Sequence, residues 1–187
     1  MAIDADTKLV PCWLVGLRNA NYAFQFIRDL KRRLSNRVQL TTDGNRIYLD
    51  VVDDLFSDNV DYAMLVKMCG SDPESERRYS PAKCTGTEIQ IIKGNPEQSH
   101  ISTSFVERQN LTMRMNMRRF TRLTNAFSKK VDNLKCAVAL HFMYYNFARV
   151  HKTLDMTPAM AAGIADHVWT LEEIALLEKF QKSSISN

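Results

Sequence analysis

The sequence predicts an α/β fold in which a mixed sheet is flanked by helices and followed by a helical C-terminal extension. Segments with an apolar period of two alternate with segments of period 3.6 over the first half of the chain. Residues 104–146 contain neither proline nor glycine and read as nearly continuous helix. Length and composition agree with one well-packed domain, at 187 residues with 45% hydrophobic and 25% charged positions.

Taken in order, residues 1–4 are β-compatible and Asp4-Ala5-Asp6-Thr7-Lys8 has the composition of a turn. Residues 9–15 read as a second strand, and so tight a connection implies an antiparallel pair. From Asn19 the period changes: Ala23, Phe26, Ile27, Leu30 and Leu34 share one helical face, with Arg28, Lys31, Arg32 and Arg33 mostly opposite. Residues 38–42 alternate as a strand and stop at Asp43-Gly44, after which Tyr48, Val51, Val52, Leu55 and Phe56 resume helical spacing. Residues 62–68 form a further strand. A loop-rich insert over about 69–103 carries one more strand or hairpin arm at 87–92. Short helices at 155–162 and 171–180 complete the order, so a domain of residues 1–152 is expected with a helical extension at 153–187.

Charge is distributed unevenly. The formal net charge is only +4, yet residues 107–152 hold 10 basic side chains against 2 acidic ones, a surplus of 8. No run of about 18 apolar residues occurs, which excludes a membrane-spanning helix. The start, MAIDADTK, lacks the layout of a secretory signal, so a cytoplasmic protein is expected. The four cysteines, at 12, 69, 84 and 136, form no CxxC pair and are expected to be reduced thiols, not zinc ligands.

Three acids stand where chemistry is possible. Asp4 lies on the first strand, Asp43 ends a later one, and Glu107 begins the long basic helix. Carboxylates from three elements repel one another unless multivalent cations neutralise them, and hard Mg²⁺ or Mn²⁺ prefers such oxygen ligands. Two such ions can clamp the attacking and leaving oxygens of a phosphodiester. Each acid also has a structural reading. Asp4 and Asp6 suit a turn, Asp43-Gly44 is a common turn dipeptide, and Ser104-Phe105-Val106-Glu107 matches a capping box. Gly44 removes a side chain where backbone and substrate need to approach.

The helix from Ser104 separates two faces. Val106, Met113, Met117 and Phe120 gather on one stripe, while Glu107, Asn110, Arg114 and Arg118 gather on a roughly opposed one. Glu107 and Arg114 are two turns apart, roughly 10 Å along the axis. A polyanion crossing a metal bound at Glu107 would meet Arg114, Arg118, Arg119 and Arg122 next. A solvated basic helix face is the alternative. Lys129, Lys130, Arg149, His151 and Lys152 extend the polyanion path or form exposed charged surface. The apolar helix around residues 138–147, with His141 upon it, reads as buried. His100 precedes the Glu107 helix and is either a scissile-phosphate neighbour or a solvated loop histidine.

The string Ser104-Phe105-Val106-Glu107-Arg108-Gln109-Asn110-Leu111-Thr112-Met113-Arg114-Met115, continued from Met117-Arg118-Arg119-Phe120 to Lys129-Lys130, resembles bacterial insertion-sequence transposases of the DDE superfamily, the IS one family and its relatives. Residues 2–10, Leu40-Thr41-Thr42-Asp43-Gly44, Arg77-Arg78-Tyr79-Ser80-Pro81, Tyr144-Tyr145-Asn146-Phe147, His151-Lys152-Thr153-Leu154 and Thr157-Pro158-Ala159 extend the resemblance over nearly the whole chain. It implies an RNase H-like fold in which Asp4, Asp43 and Glu107 form the DDE triad and hold two Mg²⁺ ions. Arg114 would take the basic position seven residues after the glutamate, and Asp6 is the fallback for the first acid.

The implied activity is a DNA transposase: cleavage at transposon ends followed by transfer of the 3′-hydroxyl into target DNA. The implied partners are double-stranded DNA and further copies of the chain on it. Transposases of this kind usually carry an N-terminal zinc-binding or helix-turn-helix module. Residue 1 lies three positions before Asp4, so the catalytic part of a longer or split reading frame is expected, with a separate DNA-binding partner supplying the ends. Two alternatives remain: a non-catalytic DNA-binding relic that competes with complete transposase, and an RNase H-like nuclease.

Overall fold

The computed structural model describes residues 1–70, 84–121, 125–126 and 128–184, the side chains of Cys69 and 178–184 excepted. Arg77-Arg78-Tyr79-Ser80-Pro81 and Arg122 lie outside these residues. The fold is mixed α/β and divides into two compact units, one of Gly16–Ser104 and one of Met1–Val15 with Phe105–Asn187.

The unit of Gly16–Ser104 holds a three-stranded mixed sheet: β1 (Val38–Asp43), β2 (Val60–Cys69) and β3 (Cys84–Lys93), in that spatial order. β1 and β2 are parallel and β2 and β3 antiparallel. The parallel pair needs a crossover, supplied by helix α2 (Ile47–Phe56), as the helical spacing of Val51, Val52 and Phe56 predicts. Helix α1 (Ala20–Arg33) starts where Asn19 accepts the Tyr22 N–H at 3.1 Å, and it carries Lys31, Arg32 and Arg33 in its last turn. Ile27 from α1, Val51, Val52 and Phe56 from α2, and Val60, Tyr62 and Met64 from β2 form the core. The last three alternate along their strand and so share one face. Arg37 closes the sheet end with a two-pronged bond to Asp61 at 2.8 and 2.9 Å.

The other unit contains α3 (Ser104–Asn116, less its first residue), α4 (Val131–Met143), a π-helical turn over Tyr144–Ala148, α5 (Pro158–Ala161) and α6 (Leu171–Ser184). Its core gathers Val10, Val138, Phe142 and Tyr145, with Met113, Met117 and Phe120 packed against them. Of the predicted apolar stripe, Met113 on α3 and Met117 and Phe120 beyond its end pack on this core.

Three expectations are corrected. Residues 1–15 do not form two regular strands. Ala2 N–H reaches Cys12 O at 3.0 Å and Asp4 N–H reaches Leu9 O at 2.8 Å, in the antiparallel sense, but no ladder follows. Pro11 has no N–H to give, and both backbone groups of Val10 are bound by the side-chain amide of Asn146.

The helix expected over 104–146 is interrupted. It ends at Asn116, Met117 is extended, and only a 3₁₀ turn at Arg118–Phe120 follows before α4. A continuous helix would stack Arg114 on Arg118 and Arg118 on Arg122 at i, i+4, where like charges repel. Arg118 therefore does not continue the α-helical stripe of Glu107, Asn110 and Arg114. The helix expected at 155–162 shrinks to Pro158–Ala161, because Pro158 pushes Thr157 out of the helical region and Asp155 has φ +52. β3, conversely, is longer than the strand predicted at 87–92.

Candidate functional site

Asp4 and Glu107 belong to the unit of Met1–Val15 with Phe105–Asn187, and Asp43 to the other. Asp4 is exposed and organises a turn: its Oδ1 accepts the Asp6 N–H at 3.0 Å and its Oδ2 the Thr7 hydroxyl at 2.6 Å. Its backbone carbonyl accepts the Lys8 N–H at 3.0 Å. The turn reading of the sequence is thus realised at Asp4, with Asp6 exposed beside it.

Asp43 is the last residue of β1, at the carboxyl end of a parallel strand, the end at which open α/β sheets bind ligands. It is exposed, and its Oδ1 accepts the Asn45 N–H at 3.2 Å. Burial raises the Tyr48 and Tyr62 hydroxyl pKa values, and the Asp43 charge pushes both the same way. A Cβ on Gly44 would stand 3.2 and 3.3 Å from the Val66 methyl groups, so in this unit the missing side chain accommodates β2.

Glu107 lies in the first turn of α3 and is exposed, where a carboxylate complements the helix dipole. Asn110 and Arg114 are exposed along the same helix, and Gln109, just before Asn110, is buried. The Gln109 Nε2 has no hydrogen-bond partner among the described residues. Arg118 and Arg119 are exposed on the 3₁₀ turn, where Arg119 bonds the Ser128 hydroxyl. Lys129 and Lys130 are exposed ahead of α4. His100 is exposed in a separate 3₁₀ turn beside Glu97, 3.5 Å away.

Carboxylate oxygens match the hard divalent cations that the DDE pattern implies. Each ionised carboxylate has about four lone-pair sites, so the turn bonds at Asp4 and Asp43 leave capacity for a cation. Within either unit taken by itself, the described residues hold no group of three or more His, Cys, Asp or Glu side chains suited to a metal ion.

Sequence reasoning expected the aromatic helix to be buried; Val138, Phe142 and Tyr145 are, Leu140 and Tyr144 are exposed, and what its polar residues do was missed. Asn146 is buried and clamps Val10 from both sides, with its Oδ1 accepting the Val10 N–H at 3.1 Å and its Nδ2 donating to the Val10 carbonyl at 3.0 Å. The Tyr145 hydroxyl donates to the Lys8 carbonyl at 3.2 Å. An asparagine inside an otherwise apolar segment was the available signal, since a buried amide needs partners. No protein family, no curated protein and no solved structure matches the chain. No helix among the described residues is long and apolar enough to cross a membrane.

Proposed function

We propose that the chain is the catalytic part of a DDE-type DNA transposase, a polynucleotidyl transferase that uses Asp4, Asp43 and Glu107 as an acidic triad. The observation that carries the proposal is the exposed face of α3, where Glu107 is followed by Asn110 and Arg114 while Met113 packs inward. A carboxylate and a guanidinium along one solvent-facing stripe suit a phosphodiester strand. Asp43 at the carboxyl end of β1 supports it, as does the resemblance of the sequence to insertion-sequence transposases.

In this reading, Asp4, Asp43 and Glu107 hold two Mg²⁺ ions, which supply charge neutralisation and nucleophile activation when bound. Arg114 orients the DNA end next to Glu107, and Arg118, Arg119, Lys129 and Lys130 contact phosphates further along, with Arg122 in the same run of sequence. The RNase H-like arrangement, the double-stranded DNA partner, the homo-oligomer on DNA and the cytoplasmic, nucleoid-associated setting belong to this proposal. The test is Mg²⁺-dependent cleavage and joining of a DNA end. The wild-type chain, supplied with an end-recognising module, cuts and joins, while Asp43→Asn and Glu107→Gln fold normally and do neither. Cleavage without joining would assign the chain to the nucleases instead.

One observation favours a second reading. Both Asp4 oxygens already serve a local turn, as in a chain that binds DNA without cutting it. That chain would associate with DNA equally well with or without Asp43→Asn and would nick nothing.

A further inference from the structure

Beyond the triad and the α3 face, the end of α4 carries a second basic side chain, Arg149, with His151 two residues on. The helix finishes in the π-helical turn Tyr144–Ala148, closed by the Arg149 N–H bonding the Tyr144 carbonyl at 2.9 Å. Such wide turns are rare and occur frequently at functional sites. The turn ends in extended chain at Arg149, which is exposed. His151 follows, held by a backbone bridge to Met156 and by an Nδ1 contact of 3.0 Å with the Thr153 hydroxyl.

The residue 4–10 segment is fastened to the same place. Tyr145 holds the Lys8 carbonyl, and Asn146 holds both backbone groups of Val10. Lys8 has φ +61, and its ammonium bonds the Ala5 carbonyl and stands 4.0 Å from the centroid of the Phe105 ring.

We propose that Arg149, His151 and Lys8 form a phosphate-contact site for double-stranded DNA, on the segment that bears Asp4 and separate from the α3 face. The proposal rests on the DNA reading above. Burial, then Arg149, then Lys8 lower the His151 pKa, so near neutral pH His151 is an uncharged hydrogen-bonding group and Arg149 and Lys8 carry the charge; burial and Arg149 lower that of His141 as well. The buried His141 Nε2 has no partner among the described residues. Three acids lie close in the chain, Asp6 being exposed two residues before Lys8. Asp4 turns its carboxylate to Asp6 and Thr7, and Asp155 is bound to His151 through its backbone N–H. A phosphate held here would sit near the first acid of the triad in the chain and would fix the strand relative to it.

The experiment measures binding of a short duplex of arbitrary sequence against salt concentration. Each phosphate contact contributes about 0.9 to the slope of log affinity against log salt, so Arg149→Gln lowers the slope by about 1 and weakens all sequences alike. Arg149→Lys keeps the charge and the slope. Lys135→Gln is the control, because Lys135 is already paired with Asp132 at 3.3 Å. If the wild type binds and Arg149→Gln leaves the slope unchanged, the site is overturned while the DNA reading stands. If the wild type does not bind duplex, both are overturned. Displacement of duplex by inorganic phosphate beyond the effect of equal ionic strength would assign the site to the free anion and overturn the duplex contact.

Discussion

Asn146→Ala removes the one side chain that satisfies both backbone groups of Val10. Asn146 is 7% exposed and Val10 3% exposed, so water does not readily replace the lost amide. A buried backbone group left without a partner costs about 1–3 kcal/mol, so two such groups lead us to expect a loss of about 2–6 kcal/mol. For a chain of this size that corresponds to a fall in Tm of roughly 4–24 °C. Both tryptophans, Trp13 and Trp169, lie in the same unit as Asn146, so their fluorescence reports the unfolding of that unit. Denaturant titration followed by this signal should show a lower midpoint with an unchanged slope. An unfolding free energy within about 0.5 kcal/mol of wild type would refute the reasoning, because a surface substitution costs no more than that.

In the other unit, Ile27→Ala should cost about 2–5 kcal/mol, since Ile27 is 1% exposed in the core under the sheet, and hydrogen exchange of the β2 amides checks it. The Arg37 guanidinium, together with the Asn95 N–H, holds the Asp61 pKa down to about 2. A carboxyl depressed in the folded state stabilises above its ordinary value of 3.8 and loses that contribution as pH falls toward about 2. The stability difference between wild type and Asp61→Asn should therefore be present at neutral pH and shrink across that window. A difference independent of pH would contradict the role given to the Arg37 bond.

The sheet unit was legible because its signals are local and agree with one another. Asn19 caps α1, Asp43-Gly44 ends β1, and Val51, Val52 and Phe56 keep helical spacing between two strands. The second half was less legible because freedom from proline and glycine permits a helix without requiring one. Met117 and Phe120 still pack inward although the helix stops at Asn116, so the apolar pattern survives a break that it does not mark. At the candidate site the sequence showed which residues are acidic and basic, and the structure added their local bonds. The turn at Asp4 is written in Asp4-Ala5-Asp6-Thr7, whereas the Asn146 clamp joins residues 136 positions apart, so the lone asparagine in an apolar segment marks a buried amide but not its partner.

The central claim is that three acids act as one ligand set for divalent ions. A Mn²⁺ titration that follows the paramagnetic signal of the free ion tests it without depending on DNA. The account predicts two ions bound by the wild-type chain, with that binding lost in each of Asp4→Asn, Asp43→Asn and Glu107→Gln while the fold is retained. Undiminished Mn²⁺ binding in any one of the three would contradict it.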